Sequence, residues 1–180
     1  MVVLVLKEET ELLTKSLFLL IHLSIFRFAE KSMKIRKGGK KDAATIAAFQ
    51  LAMAQETEDL ALDQATVIKG VNRILDEPIR GHYWLAEKDS EVIASLLVLY
   101  EWSDWRNGDV LWIHSLYVKP EFRGQKVFRQ MYDGLQKMVN ETDHYKGIRL
   151  YVEKTNIKAQ KVYEAIGMTR EHYDLYEWLK

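Results

Sequence analysis

One stretch of the chain, residues 118–128, constrains the fold more than any other. An apolar, β-prone run over residues 110–118 leads into it. A helical pattern follows, in which apolar residues recur at steps of four, four and three: Val127, Met131, Leu135 and Met138. The stretch is therefore predicted to be a short turn that connects a strand to a helix.

This turn has the features of an anion-binding site. It contains an Arg-Gly pair and opens directly into the predicted helix, whose first amides have no partners within the helix. Those amides and the positive end of the helix dipole favour an anion, most naturally a phosphate. Arg123, Lys126 and Arg129 add positive charge. An ordinary connection between a strand and a helix is the alternative, and this stretch alone does not separate the two.

Composition excludes several classes of function. The 180 residues carry 26 basic and 26 acidic side chains, so no overall field recruits nucleic acid or an anionic membrane. The absence of cysteine excludes disulfides, thiolate metal sites and a cysteine nucleophile, and is compatible with a reducing cytoplasm. The five histidines never pair at metal-ligand spacing, so no metal is expected. No P-loop lysine with a Ser/Thr partner follows the turn, which excludes a kinase or NTPase.

The chain is expected to form one domain, residues 33–180, behind an extension of residues 1–32. The apolar run of residues 17–28 in the extension is too short to span a membrane and contains His22, Ser24 and Arg27. The extension is either a helix docked on the domain or an artefact of start-site choice. The second interpretation is favoured, because Met33 opens the first segment that reads as a domain.

The predicted order of elements from residue 33 is β-α-α-β-β-β-α-β-α-β, which gives a mixed sheet with helices on its faces. Asp42 and Asp63 are predicted to cap the first two helices, and Asn156 the last. An Asn107-Gly108 turn suits a hairpin. A terminal β segment is expected over residues 169–178.

Two motifs then identify the chain as similar to the GNAT acetyltransferase superfamily. The segment 118–128 resembles the family's V-x-P-x-[YF]-R-G-x-G-x-G turn, and residues 150–168 resemble its strand followed by N-x-x-A-x-x-x-Y and a glycine. The order of elements fits from Met33 to the C-terminus. The resemblance implies an α/β (α+β) acyl-CoA N-acyltransferase fold with a central mixed, mostly antiparallel sheet flanked by helices.

The resemblance also implies acetyl-CoA as the cofactor, with its pyrophosphate on the amides of the turn and its pantetheine arm beside the preceding strand. The implied cofactor-binding residues are Leu116, Tyr117, Val118, Arg123, Gly124, Gln125, Lys126, Val127, Phe128, Asn156, Ala159 and Tyr163. Lys126 and Phe128 depart from the family, which usually has glycine at both positions. A Cβ at each place limits the approach of the pyrophosphate, while the charge of Lys126 compensates and Phe128 packs against the sheet.

Catalytic roles are predicted for Tyr163 and His114. The resemblance implies that Tyr163 protonates the departing thiolate, although a tyrosine at helical spacing is more often a core residue. His114 lies on the strand before the turn, where many relatives carry a glutamate, and histidine suits a general base near neutral pH. The alternative places His114 partly packed between Trp112 and Leu116.

Other acidic residues are candidates for the base or for the acceptor site. Glu101 and Asp104 are the other candidate bases, and they flank two tryptophans, Trp102 and Trp105, that would wall an acceptor pocket. A second acidic group lies between the first two helices and would attract a cationic amine: Glu56, Glu58 and Asp59.

The sequence therefore predicts an N-acetyltransferase that transfers an acetyl group to a primary amine of a small molecule by direct attack. A looser similarity connects it to spermidine/spermine-type diamine acetyltransferases. A protein lysine or N-terminal acetyltransferase and a non-catalytic acyl-CoA-binding module remain alternatives. The predicted partners are acetyl-CoA and a small amine, without nucleic acid or membrane. The aromatic tail covers the core or forms a homodimer seam: Tyr173, Tyr176 and Trp178.

Overall fold

The computed structural model describes residues 33–170 and 176–178 of the chain. Five strands and four α-helices follow one another as β1 (Lys34–Lys37), α1 (Ala43–Glu58), α2 (Gln64–Asp76), β2 (Gly81–Lys88), β3 (Glu91–Ser103), β4 (Gly108–Val118), α3 (Val127–Asn140), β5 (Tyr145–Leu150) and α4 (Ile157–Ala165). Short 3₁₀ turns precede α1 and α3. None of the described helices is long and apolar enough to cross a membrane.

The five strands form one mixed sheet in the order β1-β2-β3-β4-β5. The first four strands are antiparallel to their neighbours, while β5 lies parallel to β4. A parallel pair requires a crossover, and α3 supplies it between β4 and β5. The predicted mixed, mostly antiparallel sheet with flanking helices is confirmed.

Helices cover the sheet on both faces. Residues of α1 and α2, among them Ile46 and Val71, share one apolar core with Tyr83, Leu85 and Leu97 of the sheet. On the opposite face α3 packs on the larger core, which we call the α3-side core. Its central residues are Leu96, Val98, Leu111, Ile113, Met131 and Leu135. Tyr163 of α4 packs against this second core.

Helix starts were predicted with mixed success. Asp63 accepts a hydrogen bond from the Thr66 amide at 2.7 Å and caps α2 as predicted. Asp42 does not cap α1 with its side chain. Its carboxylate instead accepts hydrogen bonds from the Gly39 amide and from Arg36, at 2.9 and 2.8 Å, because a 3₁₀ turn precedes the helix and points the carboxylate back to β1.

The predicted terminal strand is not found in the described part of the chain. Thr169, Arg170 and residues 176–178 are not in a strand, and residues 171–175 lie outside the described residues. Tyr176 and Trp178 are exposed, so neither covers the core, and Tyr173 lies outside the described range. The predictions for the extension, residues 1–32, also lie outside it.

Candidate active site

Strands β4 and β5 separate part-way along the sheet. Their parallel pairing runs from Asp109 opposite Tyr145 to Ile113 opposite Leu150, where β5 ends. Strand β4 continues to Val118 and stays paired with β3 on its other side. One edge of β4 beyond Ile113 therefore has no partner strand within the described residues, and we call this opening the β4–β5 gap.

The backbone of β4 alternates between β3 and the gap. The Lys119 amide donates to the Ile93 carbonyl at 2.9 Å, so residue 119 faces β3, and Tyr117, two residues earlier, faces β3 as well. Leu116 and Val118 face the gap. The Val118 carbonyl accepts a bond from Arg123 Nε at 2.8 Å. Leu116 and Val118 are thus available for the predicted pantetheine contacts. Strand alternation turns the backbone of Tyr117 toward β3, and the predicted contact between Tyr117 and the cofactor stays a prediction.

A β-bulge places His114 at the point where the gap opens. Ser115 pairs with Leu97 and Ile113 pairs with Val98, so His114 between them has no partner in β3. This extra residue shifts the alternation, and it lets the side chains of Leu111, Ile113, Leu116 and Val118 all reach the α3-side core. The His114 side chain is exposed and is not packed between Trp112 and Leu116. Its position next to the gap is compatible with the predicted role as a base.

The turn before α3 offers a row of unpaired amides. Gly124 has φ +75 and Lys126, the N-cap of α3, has φ 60 and ψ 23. The first hydrogen bond of the helix runs from the Gln130 amide to the Lys126 carbonyl, at 3.1 Å. Within the described residues no acceptor is found for the amides of residues 125–129. This arrangement fits a pyrophosphate.

Arg123 is tied to α1 rather than directed at the unpaired amides. Its Nη2 donates to Glu56 Oε2 at 2.6 Å, and the guanidinium lies 5.6 Å from the centroid of the Tyr117 ring. The Tyr117 hydroxyl donates to the other Glu56 oxygen at 3.2 Å. Arg123 therefore shapes the turn from outside, as a clamp between α1 and β4. Glu56 is paired, so the predicted acidic group keeps Glu58 and Asp59 as its remaining carboxylates, and Asp59 accepts from Gln55.

The side chain of Phe128 points into the core. Its side chain is 9% exposed and belongs to the α3-side core. The ring meets Tyr163 edge-on, with centroids 5.6 Å apart and planes at 79°. The bulky residue at a usual glycine position therefore leaves the space in front of the amides open, and the predicted packing against the sheet is observed.

Tyr163 and Asn156 lie on α4. Burial raises the pKa of the Tyr163 phenol, so the hydroxyl stays protonated at neutral pH. Asn156 Oδ1 accepts from the Ala159 amide at 3.0 Å, which makes Asn156 the N-cap of α4. Sequence reasoning missed Gln160, whose buried side chain donates to the Lys154 carbonyl at 2.8 Å and holds the loop before α4.

The region that was predicted to form the acceptor pocket, residues 101–105, differs from the prediction. Glu101 is engaged by Arg149 Nη1 at 3.0 Å and by the Trp112 indole N–H. Trp102 and Trp105 are 58% and 87% exposed, so they do not wall a pocket. The aromatic surface found near the gap is a different pair, which the sequence analysis did not single out: the rings of Trp112 and Tyr151 stack with centroids 4.4 Å apart.

We expect Lys126→Gly to raise the free energy of unfolding by roughly 0.5–1 kcal/mol. A residue with a Cβ in the left-handed region costs about 1–2 kcal/mol, and the extra freedom of glycine in the unfolded chain offsets about 0.4–1 kcal/mol of the relief. Urea denaturation measures the change. Lys126→Gln keeps the Cβ while removing the charge, so it should give no gain, and equal stabilisation by both variants would contradict the strain argument.

Comparison with known proteins gives consistent matches. Residues 47–168 match the model of the "Acetyltransferase (GNAT) family". A protein of Archaeoglobus fulgidus described as an uncharacterized N-acetyltransferase is 25% identical over 139 residues, which cover 77% of this chain and 94% of the relative.

Solved structures agree with this match. A possible acetyltransferase from Clostridium difficile 630 has a TM-score of 0.78 at 37% identity, covering 82% of this chain and 97% of that one. An aminoglycoside N-acetyltransferase in complex with CoA has a TM-score of 0.68 at 15% identity, covering 83% and 95% of the two chains, and shares the fold. The descriptions of the Archaeoglobus and Clostridium proteins name no acceptor.

Proposed function

Because the chain belongs to the acetyltransferase (GNAT) family, we propose that it acetylates a primary amine of a small molecule by direct attack on acetyl-CoA. Acetyl transfer to an amine follows from the family, while the acceptor class and the residue roles are the proposal. The observation that carries it is the β4–β5 gap, which has Leu116 and Val118 on its edge and unpaired amides at the start of α3. We also propose a cytoplasmic location, with which a chain lacking cysteine is compatible.

The residues around the gap fit acetyl-CoA. The amides of residues 125–129 would hold the pyrophosphate, and the backbone of Leu116 and Val118 would hold the pantetheine arm. When bound, acetyl-CoA supplies the thioester whose acetyl group is transferred. A backbone N–H on the gap edge of β4 can donate to the thioester carbonyl oxygen and polarise it.

Two proton movements accompany the transfer. A primary amine with a pKa of about 10 is mostly protonated at neutral pH, so His114 would take one proton before the nitrogen attacks. The new C–N bond would form as the C–S bond breaks. The nitrogen then loses its second proton to solvent, and the sulfur leaves as a thiolate that accepts a hydrogen bond from the Tyr163 hydroxyl. Asn156 keeps its role as the N-cap, which fixes the start of the helix that carries Tyr163.

One observation favours a second candidate, a protein acetyltransferase that acts on lysine side chains or N-termini. Trp102 and Trp105 leave the acceptor side open instead of enclosing it, and an open surface can admit a polypeptide. The stacked rings of Trp112 and Tyr151, with the Glu101–Arg149 ion pair, form a more ordered surface for a small acceptor than the exposed Trp102 and Trp105 do. We therefore place the small-molecule acceptor first.

The proposal is tested by calorimetric titration of acetyl-CoA and free CoA into the full chain, followed by a thiol-release assay with an amine panel. The panel contains spermidine and other diamines, a monoamine, an aminoglycoside, a lysine peptide and a peptide with a free N-terminus. We expect micromolar binding and turnover with a small amine. Turnover of peptides alone would support the protein-acceptor candidate. Binding without turnover of any amine would favour the acyl-CoA-binding module, and no binding by the folded protein would refute the cofactor site.

A further inference from the structure

Phe128 connects the cofactor turn to the helix that carries Tyr163. It is the second residue of α3, and its own amide is one of the unpaired amides of the turn. Its ring packs on Tyr132 of the same helix, with centroids 5.9 Å apart, and edge-on against Tyr163 of α4. Edge-on aromatic contacts stabilise a pair beyond the area that they bury. One residue therefore touches both halves of the proposed site.

Helix α4 has few other side chains that fix its position. Six of its nine residues are exposed, and Gln160 is its buried residue. The Gln160 side chain is turned to the preceding loop and to Arg170, which donates to its Oε1 at 2.9 Å. Tyr163 is the residue of α4 that packs against the α3-side core. Directly after the helix, Ile166 and Met168 also pack against this core, so the aromatic contact with Phe128 is the anchor that lies within α4 itself.

Packing alone orients the Tyr163 phenol. Among the described residues no side chain or backbone group is found to hydrogen-bond its hydroxyl, so no polar group of the described protein sets its direction. The ring instead meets Phe128 at a defined distance and angle. The same burial raises the pKa of the phenol. A change at Phe128 should therefore alter both the direction and the environment of the hydroxyl.

We infer that Phe128 is a positioning residue, whose edge-on contact holds the Tyr163 hydroxyl toward the departing sulfur. This inference rests on the proposed function, in which Tyr163 is the donor. Phe128 stands where the family usually has glycine, so the contact depends on a side chain that the usual motif lacks.

The test compares Phe128→Leu, which keeps an apolar side chain but removes the ring, with a control in the same core. We expect kcat to fall about fivefold while KM for acetyl-CoA stays within about twofold, since one aromatic contact is lost and the turn amides remain. In a Tyr163→Phe background the same change should have almost no further effect on kcat. Leu135→Ala, two turns along α3 and 2% exposed, should lower thermal stability without changing kcat of the folded enzyme.

A spectroscopic readout separates positioning from general loss of structure. Ring-labelled tyrosine NMR follows each phenol, and the Tyr163 signal is the one missing in Tyr163→Phe. Phe128→Leu should lower the pKa of Tyr163 toward its ordinary value because the phenol becomes more hydrated. Leu135→Ala should leave that pKa unchanged.

The outcomes distinguish this inference from the proposed function. If Tyr163→Phe turns over as fast as the wild type, the donor role fails and the positioning role fails with it. If Tyr163→Phe is slow while Phe128→Leu keeps full kcat, the donor stands and positioning by Phe128 is refuted. Positioning is also refuted if Phe128→Leu slows the wild type and the Tyr163→Phe variant by the same factor.

Discussion

Replacing Tyr163 with phenylalanine is expected to lower kcat at least about tenfold, the equivalent of about 1.4 kcal/mol of transition-state stabilisation. The substitution removes the hydroxyl and keeps the ring that packs on Phe128, so α4 should stay in place. Because the pyrophosphate and pantetheine contacts that we propose lie mainly on β4 and on the turn before α3, the affinity for acetyl-CoA should change little. Steady-state kinetics and calorimetric titration measure the two quantities.

The raised pKa of Tyr163 defines how the hydroxyl acts. An alkyl thiol has a pKa of about 8.5, so full proton transfer from a phenol whose pKa lies above the ordinary value of about 10 is uphill. Tyr163 should therefore act mainly by donating a hydrogen bond to the sulfur as its negative charge develops. The phenol is protonated throughout the neutral range, so its own ionisation should not appear in the pH–rate profile below pH 10.

A matched control for this variant is Tyr83→Phe. Burial raises the pKa of Tyr83 to about 12, but this residue packs under α1 and α2 on the opposite face of the sheet. Its replacement should leave kcat unchanged. An unchanged kcat in Tyr163→Phe would remove Tyr163 from the mechanism, whatever the control shows.

Replacing His114 with alanine is expected to lower kcat/KM about a hundredfold near neutral pH and to abolish the acidic limb of its pH profile. A general base contributes about 10² to 10⁴ in rate, and it acts only in its unprotonated form, so activity should fall at acidic pH. The exposed side chain at the bulge lies where β4 and β5 separate, so its loss should not unfold the sheet. The pH dependence of kcat/KM measures the effect.

His144→Ala is the control for removing a histidine. His144 lies just before β5 and contacts Asp109, 2.9 Å from Nε2 to Oδ2, at the far end of the pairing between β4 and β5. His144→Ala should keep the acidic limb of the kcat/KM pH profile. If His114→Ala has the same pH profile as the wild type, the base is a different group, and Glu101 beside Arg149 becomes the next candidate.

Local features of the site were readable from the sequence. The turn before α3 requires a strand, an Arg-Gly pair and a helix in direct succession, and each of these leaves a pattern within about ten residues. The caps at Asp63 and Asn156 were predicted for the same reason, since a cap bonds an amide three residues away. The prediction that Asp42 caps α1 was wrong, because Arg36 and Gly39 bind its carboxylate once β1 and the 3₁₀ turn bring them together.

Contacts between distant parts of the chain were not readable. Glu56 and Arg123 are 67 residues apart, and no local pattern pairs them, so Glu56 was assigned to an acceptor site. Trp102 and Trp105 were expected to form a wall because they flank acidic residues, but they lie on the outside of the β3–β4 connection. Which tryptophan faces the gap depends on strand register, and that register made Trp112 the partner of Tyr151.

The sequence by itself determined the mixed sheet, the turn that can hold a pyrophosphate, and the helix that bears Tyr163, because each depends on short-range periodicity and on residue types that the backbone demands. The tertiary structure decided which groups face one another. The bulge at His114 changes the alternation of β4. As a result the backbone N–H and C=O of Tyr117 point to β3, and those of Leu116 and Val118 point to the gap. Packing of α3 against α4 brought Phe128 onto Tyr163. Both depend on the pairing and packing of elements far apart in the chain, which no local pattern specifies.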